Sequence, residues 1–300
     1  MRSPSVLRPL VVACAVLGFG AFSAPLSAQT FAVKEAGLAT PESVVHDAHA
    51  DVYLVSNING VPSEKDGNGF ISRVNPDGRV DALRWIAGGR NGVTLHAPKG
   101  LAIVGDTLYV SDIDCVRRFN RTSGAPAGET CVEGATFLND LAADGNGTLY
   151  VSDTGIRIDA SGVTPTGTDA VYRLRGTDAP QIVARGADLK NPNGLWWTPG
   201  GLVVVPFGAN EVWRYAPDGT RTVVATTPSG QLDGVVGLPD GGLLVTSWEG
   251  SAVYRLSSGG AVSTVATGIP SPADLGFDAK RSRALVPVFT ENRIEGLPIK

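Results

Sequence analysis

The sequence predicts an all-β fold, a six-bladed β-propeller made of four-stranded antiparallel blades. One motif occurs six times: Pro or Leu, a usually polar residue, a small or acidic residue and then an apolar strand. The copies begin at Pro41, Pro98, Leu138, Pro192, Leu232 and Pro272. Successive copies are 57, 40, 54, 40 and 40 residues apart, and a period near 40 built of short strands is typical of propeller blades.

Within each repeat, alternating apolar residues indicate strands, and clusters of Pro, Asp and Gly indicate turns. In the fifth repeat, the strands after the motif are predicted at 243–247, 252–256 and 261–266. The last repeat ends after its third strand, at 293–299. We therefore expect a strand at 30–36 to complete the sixth blade, which removes the edges that an open ring would expose.

The first 28 residues have the pattern of a secretory signal peptide. Arg2 and Arg8 precede an apolar run over 9–22, and Leu26-Ser27-Ala28 offers a small-residue cleavage site. The run is shorter than the ~20 residues that span a membrane. We expect residues 1–28 to be removed together with Cys14, and residues 29–300 to form one propeller domain that is exported, either periplasmic or secreted.

Composition narrows the class of partner. Without the two arginines of the signal peptide, the chain holds 23 basic and 29 acidic residues, a net charge of −6. A mildly acidic chain without a cluster of Lys and Arg argues against nucleic acid or an anionic membrane as partner. We expect a monomer that binds a small molecule.

Two cysteines remain after removal of the signal peptide. Cys115 and Cys131 flank a hairpin-like stretch in the second repeat. Adjacent antiparallel strands can bring such residues together, and an oxidising compartment favours a disulfide between them. Two free buried thiols are the alternative.

Two long connections lie at the same phase of their repeats. They span residues 57–69 and 153–169 and join the second strand to the third. In a meander this connection lies at the end of the blade where the first strand begins, which we call the top face. Insertions on one face usually mark a ligand site, and His96, which precedes the second motif, is predicted on the same face as a candidate acid or base.

Residues at the same phase of each repeat must form a ring around the central axis. The second motif positions are Glu42, Lys99, Asn139, Asn193, Asp233 and Ala273. Buried carboxylates are costly unless they are paired or bound to a metal, and oxygen donors favour a hard cation, Ca²⁺ first and Mg²⁺ or Mn²⁺ next. Zn²⁺ fits less well without a His/Cys cluster. The alternative is a metal-free salt-bridge network in which Lys99 neutralises Glu42 or reaches Asp140.

These motifs resemble those of the gluconolactonase, senescence-marker and luciferin-regenerating-enzyme family of six-bladed propellers. Glu42 matches the family's first-blade Glu, Asn193 the Asn of its Pro-Asn-Gly motif and Asp233 its fifth-blade Asp. The resemblance implies that these three bind one divalent cation. Asn139, in Phe137-Leu138-Asn139-Asp140, matches an Asn that helps to hold water or substrate.

The resemblance implies hydrolysis of a lactone or related ester. Asp233 would ligate the metal and orient or deprotonate water, with His96 or Lys99 sharing the role of base and Asn139, Asp140 and Lys99 contacting substrate. Phe137 stands where the family has a sugar-contacting Arg, which puts a polyhydroxylated lactone in doubt.

A second class of function stays open at this point. An exported propeller can bind a small ligand, peptide or protein without turnover, because fold alone does not assign chemistry. Phe207 and Trp248, near the ends of second strands, suit a ligand pocket or a partner surface equally, and packing between blades is the alternative for both. The sequence has no Gly-Xaa-Ser-Xaa-Gly nucleophile motif and no His-Glu-Xaa-Xaa-His metal motif.

Overall fold

The computed structural model describes residue 1 and residues 31–176 and 178–300. Apart from Met1, the predicted signal peptide over residues 1–28 lies outside the described residues. Among the described residues, no helix is long and apolar enough to cross a membrane.

The chain forms six four-stranded antiparallel sheets arranged as the blades of a propeller. Strand β1 (Phe31–Val33) precedes the first blade and belongs to the last. Blade 1 contains β2 (Pro41–Asp47), β3 (Val52–Asn57), β4 (Phe70–Val74) and β5 (Val80–Ala87). Blade 2 contains β6 (Pro98–Val104), β7 (Thr107–Asp112), β8 (Cys115–Asn120) and β9 (Pro126–Cys131).

Blade 3 carries an extra hairpin between its second and third strands. The hairpin consists of β12 (Ile156–Asp159) and β13 (Gly162–Pro165). The blade itself contains β10 (Leu138–Ala143), β11 (Leu149–Asp153), β14 (Ala170–Leu174) and β15 (Gln181–Arg185). The long connection predicted at 153–169 therefore contains a hairpin that its sequence did not reveal.

The remaining blades follow the regular period. Blade 4 contains β16 (Pro192–Thr198), β17 (Gly201–Pro206), β18 (Glu211–Tyr215) and β19 (Arg221–Thr226). Blade 5 contains β20 (Leu232–Gly237), β21 (Leu243–Ser247), β22 (Ala252–Leu256) and β23 (Val262–Thr267). Blade 6 contains β24 (Gly276–Asp278), β25 (Arg283–Val288) and β26 (Arg293–Pro298) in addition to β1. Two short 3-10 helices, Ala187–Leu189 and Phe289–Glu291, lie in connections.

The N-terminal strand closes the ring. Strand β1 pairs antiparallel with β26, with Phe31 opposite Gly296 and Val33 opposite Ile294. The predicted completion of the sixth blade is confirmed, although the strand covers only three residues. First and last segments of the chain thus share one sheet, so that neither leaves an open edge at the junction.

The apolar core lies between neighbouring blades. One cluster joins Val203 and Val205 of blade 4 to Val245 and Tyr254 of blade 5. The first strands of successive blades contact one another around the central axis. The motif residues at the start of those strands therefore converge on the channel.

The disulfide between Cys115 and Cys131 is present, as predicted. The two residues face each other in the register of β8 and β9. They lie in the two outer strands of blade 2, so the bond fastens the edge of a blade and has no part in the central channel.

Candidate active site

The repeated motif is a β-bulge that turns its second residue toward the channel. In five blades the pairing of the first strand with the second shifts between the first and fourth motif residues. Such a bulge leaves a residue without a ladder partner and re-aims its side chain. The same local geometry, repeated around the ring, presents successive side chains at one height.

Neighbouring first strands approach so closely at the third motif position that three blades have glycine there. A Cβ on Gly100 would lie 2.6 Å from the backbone oxygen of Asn139, and one on Gly194 would lie 2.4 Å from that of Asp233. Hydroxyl groups of second strands also bond to the backbone of ring residues in the next blade: Ser152 Oγ donates to the backbone oxygen of Asn193 at 2.6 Å. The ring residues are therefore held by backbone contacts between blades.

Four ring side chains line one cavity of about 380 Å³ on the top face. These are Glu42, Asn139, Asn193 and Asp233, which come from blades 1, 3, 4 and 5 and are at most 5% exposed. Lys99 of blade 2 lines the same cavity. The sixth position, Ala273, is buried but contributes no polar atom.

Each of the four oxygen-bearing ring residues has a buried oxygen without a hydrogen-bond partner. In the part of the chain that the structure describes, nothing bonds to Glu42 Oε2, Asn139 Oδ1, Asn193 Oδ1 or Asp233 Oδ1. An unsatisfied buried acceptor costs about 1–3 kcal/mol. Four such atoms in one cavity are a donor set that fits a hard divalent cation such as Ca²⁺. No His or Cys is among the described residues that line the cavity, so the set does not suit Zn²⁺.

Burial disfavours the charged form of both ring carboxylates. Burial raises the pKa of Glu42 well above its ordinary value, Asp233 and Asp274 raise it further, and Lys99 opposes them. Burial also raises the pKa of Asp233, with Asp274 adding to the effect. The Trp248 side chain acts in the opposite direction and lowers the pKa of Asp233; within the described residues its indole N–H has no hydrogen-bond partner. A bound cation would stabilise both carboxylates in the charged form.

Lys99 is fully buried and bonds to neutral groups. Its Nζ donates to the backbone oxygens of Pro62 at 3.0 Å and Ala97 at 3.1 Å, and it lies 4.1 Å from the centre of the Phe137 ring. The lysines that form ion pairs within the described residues are Lys65 and Lys280, and no carboxylate oxygen lies within 4.0 Å of the Lys99 Nζ. Burial lowers its pKa to about 8, with Glu42 opposing the shift. Lys99 anchors the first long connection through Pro62 and does not form the ion pair with Glu42 or Asp140 that the metal-free alternative required.

His96 lies beside the cavity and is not among the described residues that line it. Its Nδ1 accepts a hydrogen bond from the backbone N–H of Gly67 at 3.0 Å. Its own backbone N–H donates to the carboxylate of Asp112 at 3.1 Å. In this arrangement His96 fastens the end of the first long connection to blade 2.

Asp140 lies below the ring and lines the opposite end of the channel. Its carboxylate accepts hydrogen bonds from the backbone N–H groups of Leu141 and Leu195, both at 2.6 Å. Burial and then Asp274 raise its pKa. Asp274 in turn accepts from Ser43 Oγ at 2.5 Å, and burial raises its pKa to about 7. These acids join blades 1, 3, 4 and 6 beneath the cavity.

The walls of the cavity are largely apolar. Phe207 and Trp248, singled out in the sequence, line the wall together with Phe289. The ring centre of Trp248 lies 5.6 Å from that of Phe207 and 5.3 Å from that of Phe289. The hairpin of blade 3 contributes Ile156, Ile158 and Val163. The backbone N–H of Ile158 donates to Ser63 Oγ at 2.9 Å, which joins the two long connections over the top face.

Sequence reasoning missed Phe289 and the hairpin residues. Phe289 follows directly after β25, as Phe207 follows β17 and Trp248 follows β21. This shared phase was the signal that could have found it. The hairpin residues lie in an insertion that has no counterpart in the other repeats, so no periodic signal pointed to them.

Comparisons with known proteins agree with this geometry. The profile described as the SMP-30/Gluconolactonase/LRE-like region matches residues 68–286. Among solved structures, a gluconolactonase from Xanthomonas campestris is 21% identical, with 91% of each chain covered and a TM-score of 0.70.

Two further structures share the fold. A putative gluconolactonase is 19% identical, with 90% of this chain and 92% of the other covered and a TM-score of 0.66. A virginiamycin B lyase from Staphylococcus aureus is 15% identical, with 91% of this chain and 99% of the other covered and a TM-score of 0.63. No curated protein sequence matches the chain significantly. Since the family profile covers most of the chain and the propeller carries the ring of the motif, this protein belongs to the SMP-30/gluconolactonase/LRE-like family.

Proposed function

We propose that this protein is an exported hydrolase of lactones or related esters that depends on a divalent cation, with Ca²⁺ as the favoured ion. The observation that carries the proposal is the set of four buried oxygens without partners, one from each of four blades, in a single cavity. Membership of a family that includes gluconolactonases supports the reaction class. Export is proposed from the signal-peptide pattern alone.

Glu42, Asn193 and Asp233 would hold the cation. When bound, a divalent cation polarises the substrate carbonyl and stabilises the negative charge that develops on its oxygen. Asn139 donates its amide N–H to Thr154 Oγ1 at 3.0 Å, which turns its oxygen into the cavity. That oxygen is positioned to orient the attacking water.

Asp233 and Lys99 are the candidate groups for proton transfer. A carboxylate that binds a cation has a lowered affinity for protons, so Asp233 orients water better than it deprotonates it. Lys99 lines the same cavity, and its pKa of about 8 leaves a substantial neutral fraction at mildly alkaline pH. A neutral amine there can accept the proton of the attacking water.

The test is hydrolysis of a panel of lactones and esters by Ca²⁺-loaded wild type and by Asp233→Asn, followed as acid release. We expect the variant to lose at least about 100-fold in kcat/KM. The control is Asp218→Asn, because Asp218 occupies an exposed Pro-Asp-Gly turn of blade 4 and bonds only to Thr220 within the described residues. Hydrolysis that survives Asp233→Asn would contradict the proposal. If wild type hydrolyses none of the panel, a propeller that binds a ligand without turnover becomes the better description.

A further inference from the structure

Glu42, Lys99, Asn139, Asn193 and Asp233 form what we call the polar ring. A second ring of side chains lies directly above it. In every blade, one residue follows immediately after the second strand: Ile58, Ile113, Thr154, Phe207, Trp248 and Phe289. We call these six the upper ring. Five of its members line the cavity together with the polar ring. The fold therefore stacks an apolar layer on a layer of oxygen donors.

The upper ring is a continuous apolar surface over much of its circumference. Trp248 packs against Phe207 on one side and Phe289 on the other. Phe289 also packs against the cluster that contains Ile58 and Ile113. Aromatic and aliphatic side chains from blades 4, 5, 6, 1 and 2 thus follow one another around the cavity.

Several polar groups of the wall, those of Thr154, Asn191 and Lys99, are already engaged. Thr154 Oγ1 donates to the backbone oxygen of Pro192 at 3.0 Å and accepts from the amide of Asn139. Asn191 Nδ2 donates to the backbone oxygen of Thr154 at 2.9 Å. Lys99 Nζ is bonded to two carbonyl oxygens. The indole N–H of Trp248 has no partner within the described residues, and Gln231 also lines the cavity, so a ligand can place one or two polar groups there. Further ligand hydroxyl groups would face apolar side chains and give up water without an equivalent partner.

The hairpin of blade 3 extends the apolar wall to the mouth of the cavity. Ile156 and Ile158 line the cavity, and Val163 lines it while it remains 64% exposed. An exposed valine at the mouth of a pocket gains apolar contact when a ligand covers it. The apolar surface therefore reaches from the polar ring to solvent.

We propose that the substrate is a lactone or ester with an apolar alkyl or aryl substituent, whose ester group lies on the polar ring and whose substituent lies against the upper ring and the hairpin. This inference rests on the proposed function and names its substrate class. Polyhydroxylated lactones of similar ring size are poor substrates, because most of their hydroxyl groups face apolar walls.

The first experiment uses δ-lactones with unbranched alkyl substituents of increasing length, alongside glucono-δ-lactone. We expect kcat/KM to rise about fourfold per added methylene until the cavity of about 380 Å³ is filled. Phe289→Ala should lower kcat/KM about tenfold more for the longest substituent than for the unsubstituted lactone. Val163→Ser should reduce the dependence on length without any risk to the core. Its matched control is Val223→Ser, since Val223 is 53% exposed on the outermost strand of blade 4.

The second experiment measures binding without turnover. Alkyl-substituted δ-lactams resist hydrolysis, and their affinity for the Ca²⁺-loaded protein is measured by calorimetry. We expect affinity to rise with alkyl length in wild type and Val223→Ser, and to rise less steeply in Val163→Ser. This result supports the substrate class even if no lactone is hydrolysed. In that case only the hydrolase proposal fails. Hydrolysis of glucono-δ-lactone at least as fast as that of the alkyl lactones, with lactam affinity independent of length, overturns the substrate class and leaves the hydrolase proposal standing.

Discussion

Replacing Asp233 with asparagine should stabilise the EDTA-treated protein and abolish its response to Ca²⁺. Asp233 is 4% exposed, and one of its carboxylate oxygens has no hydrogen-bond partner among the described residues. Burial and the nearby Asp274 raise its pKa. Asparagine keeps the shape and removes the charge, so the variant should escape the cost of an unneutralised buried carboxylate.

The sign of the effect depends on pH. The pKa of Asp233 in the unfolded chain is about 4. Because the pKa is higher in the folded state, the protonated carboxyl group stabilises the fold in full below about pH 4. That contribution is lost as pH rises through the folded pKa. The variant should therefore match wild type near pH 4 and exceed it at pH 8.

The expected gain at pH 8 is about 1–3 kcal/mol, the cost of a buried polar group left unsatisfied. For a domain of this size, this corresponds to a rise in Tm of about 2–12 °C. Ca²⁺ at 100 times its Kd should stabilise wild type by about 2.7 kcal/mol, or about 5–11 °C, and should leave the variant unchanged.

The assay is thermal unfolding by circular dichroism at pH 4 and pH 8, with EDTA or excess Ca²⁺. Asp218→Asn serves as the control and should behave like wild type, because its carboxylate is exposed on a turn. A variant that is less stable than wild type at pH 8 and still gains the full shift with Ca²⁺ would refute the assignment of Asp233 to a cation site.

Two further predictions concern other parts of the chain. If Lys99 accepts a proton, kcat/KM of the wild type should rise through about pH 8, and Lys99→Met should lose this limb of the profile; a limb that persists in the variant would assign it to another group. Replacing both Cys115 and Cys131 with serine should lower stability by about 3 kcal/mol, since the bond closes a loop of 16 residues. The double variant should keep its kcat/KM, measured well below its Tm, and a loss of activity there would mean that blade 2 supports the site more directly than its geometry indicates.

Much of the fold was predictable because the repeat carries its own register. The strands predicted at 243–247 and 252–256 coincide with β21 and β22, and the strand predicted at 261–266 differs from β23 (Val262–Thr267) by one residue at each end. The predicted closing strand was longer than β1, since only three residues pair with β26. Pattern reasoning locates strands well and their ends less well, because ends depend on which neighbour offers hydrogen bonds.

The candidate site was likewise predictable from the sequence in part. Glu42, Asn139, Asn193 and Asp233 share one phase, and the structure brings them into one cavity. Lys99 shares that phase too, but its bonds to Pro62 and Ala97 depend on how an insertion folds. His96 was expected to face the site, and its hydrogen bond with Gly67 instead directs it to a neighbouring loop.

The sequence by itself determined the number of blades, the closure of the ring and the identity of the six residues that share the second motif position. It could do so because rotational repetition converts position along the chain into position around an axis. Only the tertiary structure decided which side chains have partners and which do not. Contacts made by the insertions decide whether Lys99 pairs with Glu42, which oxygens stay unsatisfied and how the hairpin of blade 3 lines the cavity. No repeat fixes these contacts, and they set the charge and the apolar character of the site.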